Sequence, residues 1–327
     1  MVFSSINQRK NGGTEMKKIT MFVFLMVLAV FVATPSASAT DWLVPGNFTT
    51  IQEANDSPSV QPGDRIFVGP GEFSGALLTK RVEIKGSGGA TIASGPLHVS
   101  GMMQGFRLLA GSDGATISHL IFKETVGLAI MNGVAVNDVT VTNCTFLNSV
   151  QAISNWRGSS WNITQNDIID LRTDCGGGIG ILVGDYSGGD VIDNVVAHNK
   201  ISGTIHVAAD DCGGYNGSGI VLYADFRWGG AGTDNMSYNR VVKNKVSLIS
   251  DTPLEVDAVA FELTDTRELA TPDLIHDNAI GFNDFRGSTI QIVLTPDDLN
   301  VTNSISKNFG ENRGHGLHPS AFGPGGN

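Results

Sequence analysis

A short unit recurs along the second half of this chain, and it limits the folds available more than any other feature. An apolar residue, a spacer, an asparagine, a spacer and a second apolar residue return as VTVTNCTF (Asn143), NITQNDII (Asn166), VVAHNKIS (Asn199), RVVKNKVS (Asn244), AIGFNDFR (Asn283) and SISKNFG (Asn308). The asparagines are 23, 33, 45, 39 and 25 residues apart. Between them falls a second unit, a glycine or other small residue followed by alternating apolar positions: VGLAIMNG, VQAISNW, GGIGILVGD, SGIVLYAD, DAVAFELTD and STIQIVLTPD. Short runs of period-two alternation bounded by Gly, Asn or Asp are strand signals. No segment after Val60 carries the 3.6-residue period that a helical repeat needs. Two strand types alternating at 20 to 45 residues describe a solenoid. One coil cannot bury its inward face alone. Stacking coils about 4.8 Å apart buries it and pairs the backbone along the axis. An asparagine at one turn of each coil tolerates the tight corner, and its amide can bond the amides above and below. Unequal spacing then means loops of unequal length.

The same logic accounts for a phrase written twice, TDCGGGIGILVGDY and DDCGGYNGSGIVLYADF, with Cys175 and Cys212 37 residues apart. If the phrases sit in successive coils, the cysteines lie near each other, as a disulfide or as two stacked thiols. Cys144 has no such twin and reads as a small buried hydrophobe. Upstream, DWLVPGNFTTIQEANDS gives a strand and a short amphipathic segment around Thr50 to Ala54, suited to covering the apolar end of the stack.

The stretch TTIQEA…GDRIFVGPGEF…VEIKGSGGATI…GFRLLAGSDGATISHLIF resembles the N-terminal part of right-handed parallel β-helix proteins of the pectin-lyase-like superfamily, NosD-type secreted β-helix proteins among them. The resemblance spans Asp41 to Phe309. It implies an all-β, single-stranded right-handed parallel β-helix, and it is poor in information about activity, because that superfamily holds lyases, hydrolases, epimerases, esterases, tailspikes, adhesins and proteins without catalysis.

The chain begins with a different kind of segment. A charged stub at Met16-Lys17-Lys18 precedes the 15-residue apolar run Ile19 to Ala33, and Ala37-Ser38-Ala39 supplies a small-x-small cleavage site, the order of a secretory leader. The run is short for a bilayer span, which takes about 20 residues. The expected organisation is a leader over 1–39, the β-helix over 40–309 with its cap at 40–60, and a Gly/Pro-rich tail over 310–327. The formal charge is −11. The leader carries Arg9, Lys10, Lys17 and Lys18 against Glu15, so its loss makes the chain more acidic still and argues against a nucleic-acid partner. Secreted or cell-surface placement follows, with no membrane span after leader removal. The sequence sets no oligomeric state.

Chemistry is best sought after the long strands, where Asn155-Trp156-Arg157, Asp185-Tyr186, Asp225-Phe226-Arg227-Trp228 and Asp265-Thr266-Arg267 follow one another. Stacked coils would set these as a column. Aromatic faces stack on sugar rings and arginine forks pair with carboxylates, as an acidic polysaccharide groove needs. The expected binding residues are Trp156, Arg157, Tyr186, Trp228 and Arg267, with Asp185, Asp225 and Arg227 as candidate catalytic groups of a lyase or hydrolase. The competing reading is an ordinary surface ladder of exposed ion pairs, leaving a structural or adhesive module without ligand. No cofactor is required. Calcium would enter if the chemistry were that of the superfamily's pectate lyases. Asp210-Asp211-Cys212 resembles one motif of polygalacturonase-type hydrolases, but the Asn-Thr-Asp and Arg-Ile-Lys motifs are missing and Gly314-His315-Gly316 stands about 100 residues downstream. The seven histidines are scattered, against a zinc site.

Export should release a chain beginning at Thr40. Intact-mass measurement of the exported protein checks this, and a retained segment 1–39 would remove the leader.

Overall fold

The structure, a computed structural model, describes residues 38–186, 189–225, 235–266, 275–295, 297, 299–310, 313–314 and 319–323. The leader, Arg227, Trp228, Arg267, His315 and His318 therefore lie outside the described residues, save for the two residues at the leader's end.

Residues 40 onward coil as a right-handed parallel β-helix, and one turn shows the rule. Thr140–Thr142 lies on a first face, Thr145–Ser149 on a second and Gln151–Trp156 on a third, before Asn162–Thr164 returns to the first. Repetition builds parallel sheets of ten, seven and nine strands on the three faces. A small fourth sheet joins Asp190–Ile192, Asn235–Ser237 and Ile275–His276 in the later coils.

Period-two alternation turns one side chain per short strand inward, and register stacks equivalents. On the first face the column runs Ile84, Ile117, Val141, Ile163, Val196, Val241 and Ile280, all buried. β-Branched residues pack well on a pleated surface. Phe122 and Phe146 stack with ring centroids 4.8 Å apart on the second face, a spacing set by the coil rise itself. Each long strand on the third face bends at a small residue, Gly105, Ala129, Ala152, Gly180, Gly219 or Ala260, followed inward by Phe106, Ile130, Ile153, Ile181, Ile220 or Phe261. A Cβ on Gly105 would sit 2.4 Å from the Ala129 carbonyl oxygen, and one on Gly219 would meet Val246 Cγ1 at the same distance. Only the smallest residues fit the bend.

Asparagine ladders hold both corners of the first face. Asn166, Asn199, Asn244, Asn283 and Asn308 are buried at its exit. Asn199 shows the pattern: its backbone N–H and its Nδ2 both donate to Asn244 Oδ1 (2.9 and 3.0 Å), while Nδ2 also donates to the Ile163 carbonyl (2.8 Å). Asn194, Asn239, Asn278 and Asn303 repeat this at the entrance. An amide is needed because the corner presents a donor and an acceptor along the axis. A carboxylate could accept but not donate. The residue before each rung but Asn303, which follows a short helix, takes a left-handed conformation, as at Gln165 (φ 58°), His198 (φ 59°) and Asp193 (φ 59°).

Asn143, expected in the ladder, occupies that left-handed position instead (φ 54°), and Cys144 stands in the ladder place, its N–H donating to Asn166 Oδ1. Asparagine suits both slots, for its amide in one and its tolerance of positive φ in the other, so the residue type alone does not separate them. Cys144 is free and buried, and burial pushes its thiol up to about 12.

At the N-terminal end the helix Ile51–Asp56 buries Ile51 and Ala54 against the stack. Thr50 and Glu53 close a capping box. Gln52 Oε1 and Asn55 Oδ1 accept the Leu77 and Thr79 amides of the strand region nearest the cap (2.7 and 3.2 Å), which protects that edge. A disulfide joins Cys175 to Cys212, Cα atoms 4.6 Å apart. The strands after these cysteines pair Ile179 with Ser218, so the coil offset exceeds the cysteine spacing by two loop residues.

Replacing Asn244 with Ala should lower stability by about 3 kcal/mol or more, because buried donors on Asn199 and an acceptor on Val196 lose their partners. Asn143→Ala, off the ladder and exposed, should cost about 1 kcal/mol or less. Urea midpoints compare the two. Equal losses would mean that the ladder is not the stabilising element.

Candidate functional site

The third face is unusual in being buried on both sides. Every residue from Tyr215 to Ala224 is buried, and so are those of Ile179–Asp185 and Gln151–Trp156. Inward positions fill the core. Leu128, Met131, Trp156, Ile179, Leu182, Val221 and Tyr223 form a second, outward cluster together with Ala321, packed by Met102, Tyr186 and Phe322. The cover comes from the chain's own C-terminal part. Pro319 bridges to Asn216, and Ala321 is 7% exposed. The segment expected as a tail beyond residue 309 thus contributes a strand, Arg313–Gly314, and a strap across this face.

At one end of the cluster Trp156 meets Tyr186 edge to face (centroids 5.8 Å apart) and Tyr223 at a tilt (6.2 Å). Arg157, in a left-handed conformation (φ 64°), lies over the Tyr186 ring at 5.7 Å, with Nε 3.8 Å from Asp185 Oδ1. The Asp225 amide donates to the Asp185 carbonyl one coil away (2.7 Å). The structure therefore brings Trp156, Arg157, Asp185 and Tyr186 together and sets Asp225 beside them. Trp156, Asp185 and Asp225 are buried, so the described part of the expected column is a packed cluster rather than an open row. Over Trp156 the cover is the strap, whose Phe322 carbonyl accepts from Trp156 Nε1 (3.2 Å).

A further acid was not picked out from the sequence. Glu262 occupies the outward position that Met131, Leu182, Val221 and Val293 hold in other coils. It is fully buried. Ser218 Oγ donates to its Oε2 (2.7 Å) and Thr264 Oγ1 to its Oε1 (2.8 Å). Burial outweighs these bonds and raises the carboxyl to about 7. Such a group divides its time between acid and base near neutrality, the property general acid–base chemistry requires. The signal was present in AVAFELT, a glutamate in the middle of the apolar run of a strand that carries its other acids, Asp257 and Asp265, near its ends.

Asp211 has a structural task. It accepts from the Cys175 amide (2.6 Å) and from the Tyr215 hydroxyl (2.8 Å to Oδ1, 2.6 Å to Oδ2), fixing the disulfide loop. Among the described residues there is no group of three or more His, Cys, Asp or Glu that could hold a metal ion, and Asp185 Oδ1 lies 3.8 Å from Arg157 Nε. In a hollow beside Pro45 and Phe48 at the cap, Glu53 is committed to the helix start and Asp56 Oδ1 accepts from Gln52 Nε2 and Asn55 Nδ2. No described helix is long and apolar enough to cross a membrane.

A family model described as "Right handed beta helix region" matches residues 82–267. No curated protein matches. Solved structures that do include a pectin methylesterase in complex with a hexasaccharide, at 12% identity and TM-score 0.33, covering 76% of this chain and 79% of that one. The catalytic domain of a GH87 alpha-1,3-glucanase in complex with nigerose matches at 14% identity and TM-score 0.31, over 87% of this chain and 70% of that one. Tailspike protein gp49 from Acinetobacter baumannii bacteriophage Fri1, a capsular polysaccharide depolymerase, matches at 10% identity and TM-score 0.25, over 86% and 63%. At these scores the likenesses carry no argument about activity.

Glu262 should leave a signature in pH-dependent stability. Its folded value lies above the unfolded one, so its contribution is complete below about pH 4.5 and is lost as pH rises to about 7. Glu262→Gln should match the parent in acid and exceed it by about 3 kcal/mol above neutrality. Urea midpoints across this range check the difference, and parallel curves would mean that the carboxyl titrates normally.

Proposed function

The chain belongs to the right-handed β-helix family, and from that membership we propose that it is a secreted or cell-surface protein that engages a carbohydrate polymer along the outward side of its third face. One observation carries this reading: half-buried Tyr186 and Arg157 stand at the edge of the buried Trp156–Tyr223 cluster on that side, the Arg157 guanidinium over the Tyr186 ring. Aromatic rings offer apolar faces to sugar rings, and a guanidinium pairs with a uronate carboxylate. Stacked coils suit a polymer because they repeat contacts at a fixed step. Arg227, Trp228 and Arg267 are proposed to extend the same row. The disulfide and the leader-like N-terminus support an oxidising, exported setting.

A second reading, a hydrolase acting on an acidic polysaccharide, is favoured by one specific observation: the buried Glu262, poised near neutrality. In that reading Glu262 joins Asp185, Asp225 and Arg227 as the groups to substitute. A structural module without ligand is the third reading.

A glycan array combined with reducing-sugar and unsaturated-product assays on the mature chain separates the three. Arg157→Ala and Tyr186→Ala should each weaken binding to acidic polysaccharide by about tenfold, with little change for neutral glycans and small changes in Tm. Turnover abolished by Glu262→Gln would identify the enzyme. Variants that bind every glycan as the parent does, without turnover, would leave the scaffold reading.

A further inference from the structure

The contacts made by Pro319–Gly323 are those of a ligand in a groove. Four of its carbonyl oxygens accept hydrogen bonds, and their donors come from successive coils. Tyr223 OH donates to Pro319 O (3.0 Å) and the Gly177 amide to Ser320 O (2.6 Å). Trp156 Nε1 and Gln151 Nε2 both donate to Phe322 O (3.2 and 3.4 Å). His98 Nε2 meets Gly323 O at 3.0 Å, and since a carbonyl only accepts, that nitrogen carries the proton. The Phe322 amide donates to Gln151 Oε1. The strap thus crosses the coils rather than extending a sheet, with only the isolated Asn216–Pro319 bridge resembling strand pairing.

The groove is shaped for this passage. A Cβ on Gly176 (φ 147°) would stand 2.7 Å from the Ser320 oxygen and 3.3 Å from the Phe322 ring. Gly176, the first glycine of the CGGGIG phrase, therefore leaves room for the strap. Ala321 sits in the apolar cluster, and the Phe322 ring lies edge-on to His98 (centroids 6.5 Å apart). Further along, Gly314 pairs with Val293 and Pro319 bonds to Tyr223, and Glu262 belongs to the coil between those anchors.

We propose that Pro319–Gly323 is a displaceable internal occupant of the third-face groove, and that an extended, acceptor-rich polysaccharide competes with it for the same donors. This rests on the carbohydrate reading of that face. Backbone carbonyls and sugar oxygens are both neutral acceptors, and Tyr223, Gln151, Trp156 and His98 present donors that serve either. A short strap held by a handful of hydrogen bonds and the packing of Ala321 and Phe322 can leave without unwinding a coil, because among the described residues Pro319–Gly323 makes no sheet pairing beyond the Asn216–Pro319 bridge. While it is docked, ligand affinity is reduced by the fraction of time the groove is free.

The test compares the full chain with one ending at residue 318, using polygalacturonate as the acidic probe, dextran as the neutral control, and a synthetic peptide of residues 319–327. The shortened chain should keep the parent's far-UV circular dichroism and bind the peptide saturably. A peptide with Phe322→Ala should bind more weakly. Polygalacturonate should displace the peptide and bind the shortened chain at least tenfold more tightly than the full chain. Ala321→Glu in the full chain, which places a charge in the apolar cluster, should shift polymer affinity the same way and serves if the shortened chain does not fold. If neither change raises polymer affinity, the competition is overturned. If the peptide rebinds but no polymer binds either form, the carbohydrate reading falls while the strap stands as a separable occupant.

Discussion

Two ladders of buried side-chain amides keep the coils of this protein in register. A parallel β-helix must turn its backbone at every corner, and a corner removes peptide groups from the sheets while leaving them buried. Each such group costs on the order of 1–3 kcal/mol if left unpaired. Asparagine resolves the problem in both directions at once: Asn244 accepts at Oδ1 from the preceding coil, donates from its own N–H to the next coil, and donates from Nδ2 to both. Because the first face is only three residues wide over most of its length, the ladders at its two ends fix the register of its strands. The loops between corners are then free to vary in length, which is why a spacing of 23 to 45 residues yields one regular stack.

A regular stack also fixes where outward side chains point, and the third face uses that regularity twice. Its inward residues complete the core. Its outward residues make a second apolar cluster, a demand that a solvated face would not impose. The cluster is satisfied by the chain's own end, so the outward aromatic side chains Trp156 and Tyr223 and the Gln151 amide are held against a strap. Burial then alters chemistry as well as access: Glu262 holds its proton to about pH 7 because it lies out of water, although two hydroxyls donate to it.

Much of the fold was legible. The alternating apolar runs and the small residue before each inward Ile or Phe mark the third face, and Asn166, Asn199, Asn244, Asn283 and Asn308 mark one corner. The second ladder was legible too, but was passed over: Asn194, Asn239, Asn278 and Asn303 each stand five residues before a member of the first. Asn143 misled because the left-handed slot beside the ladder also favours asparagine. At the site, Trp156, Arg157, Asp185 and Tyr186 lie together, as the repeat of the long strands places them. Their burial was not expected, because the covering residues lie more than a hundred positions downstream, in a segment that has the composition of a tail.

The sequence by itself determined the coil. Period-two alternation, small residues at bends and asparagines at corners are local requirements, and each must be met within a few residues of where it arises. It also determined that Cys175 and Cys212 are near neighbours, since successive coils share positions. Only the tertiary structure decided which outward residues are exposed and which acid is held near neutrality. Those properties depend on what packs over a side chain. Over Trp156 and Tyr223 the cover is Pro319–Gly323, whose place on the third face is set by hydrogen bonds to His98, Gln151, Trp156, Gly177 and Tyr223, residues distant in the chain and brought together only by the stacking of the coils.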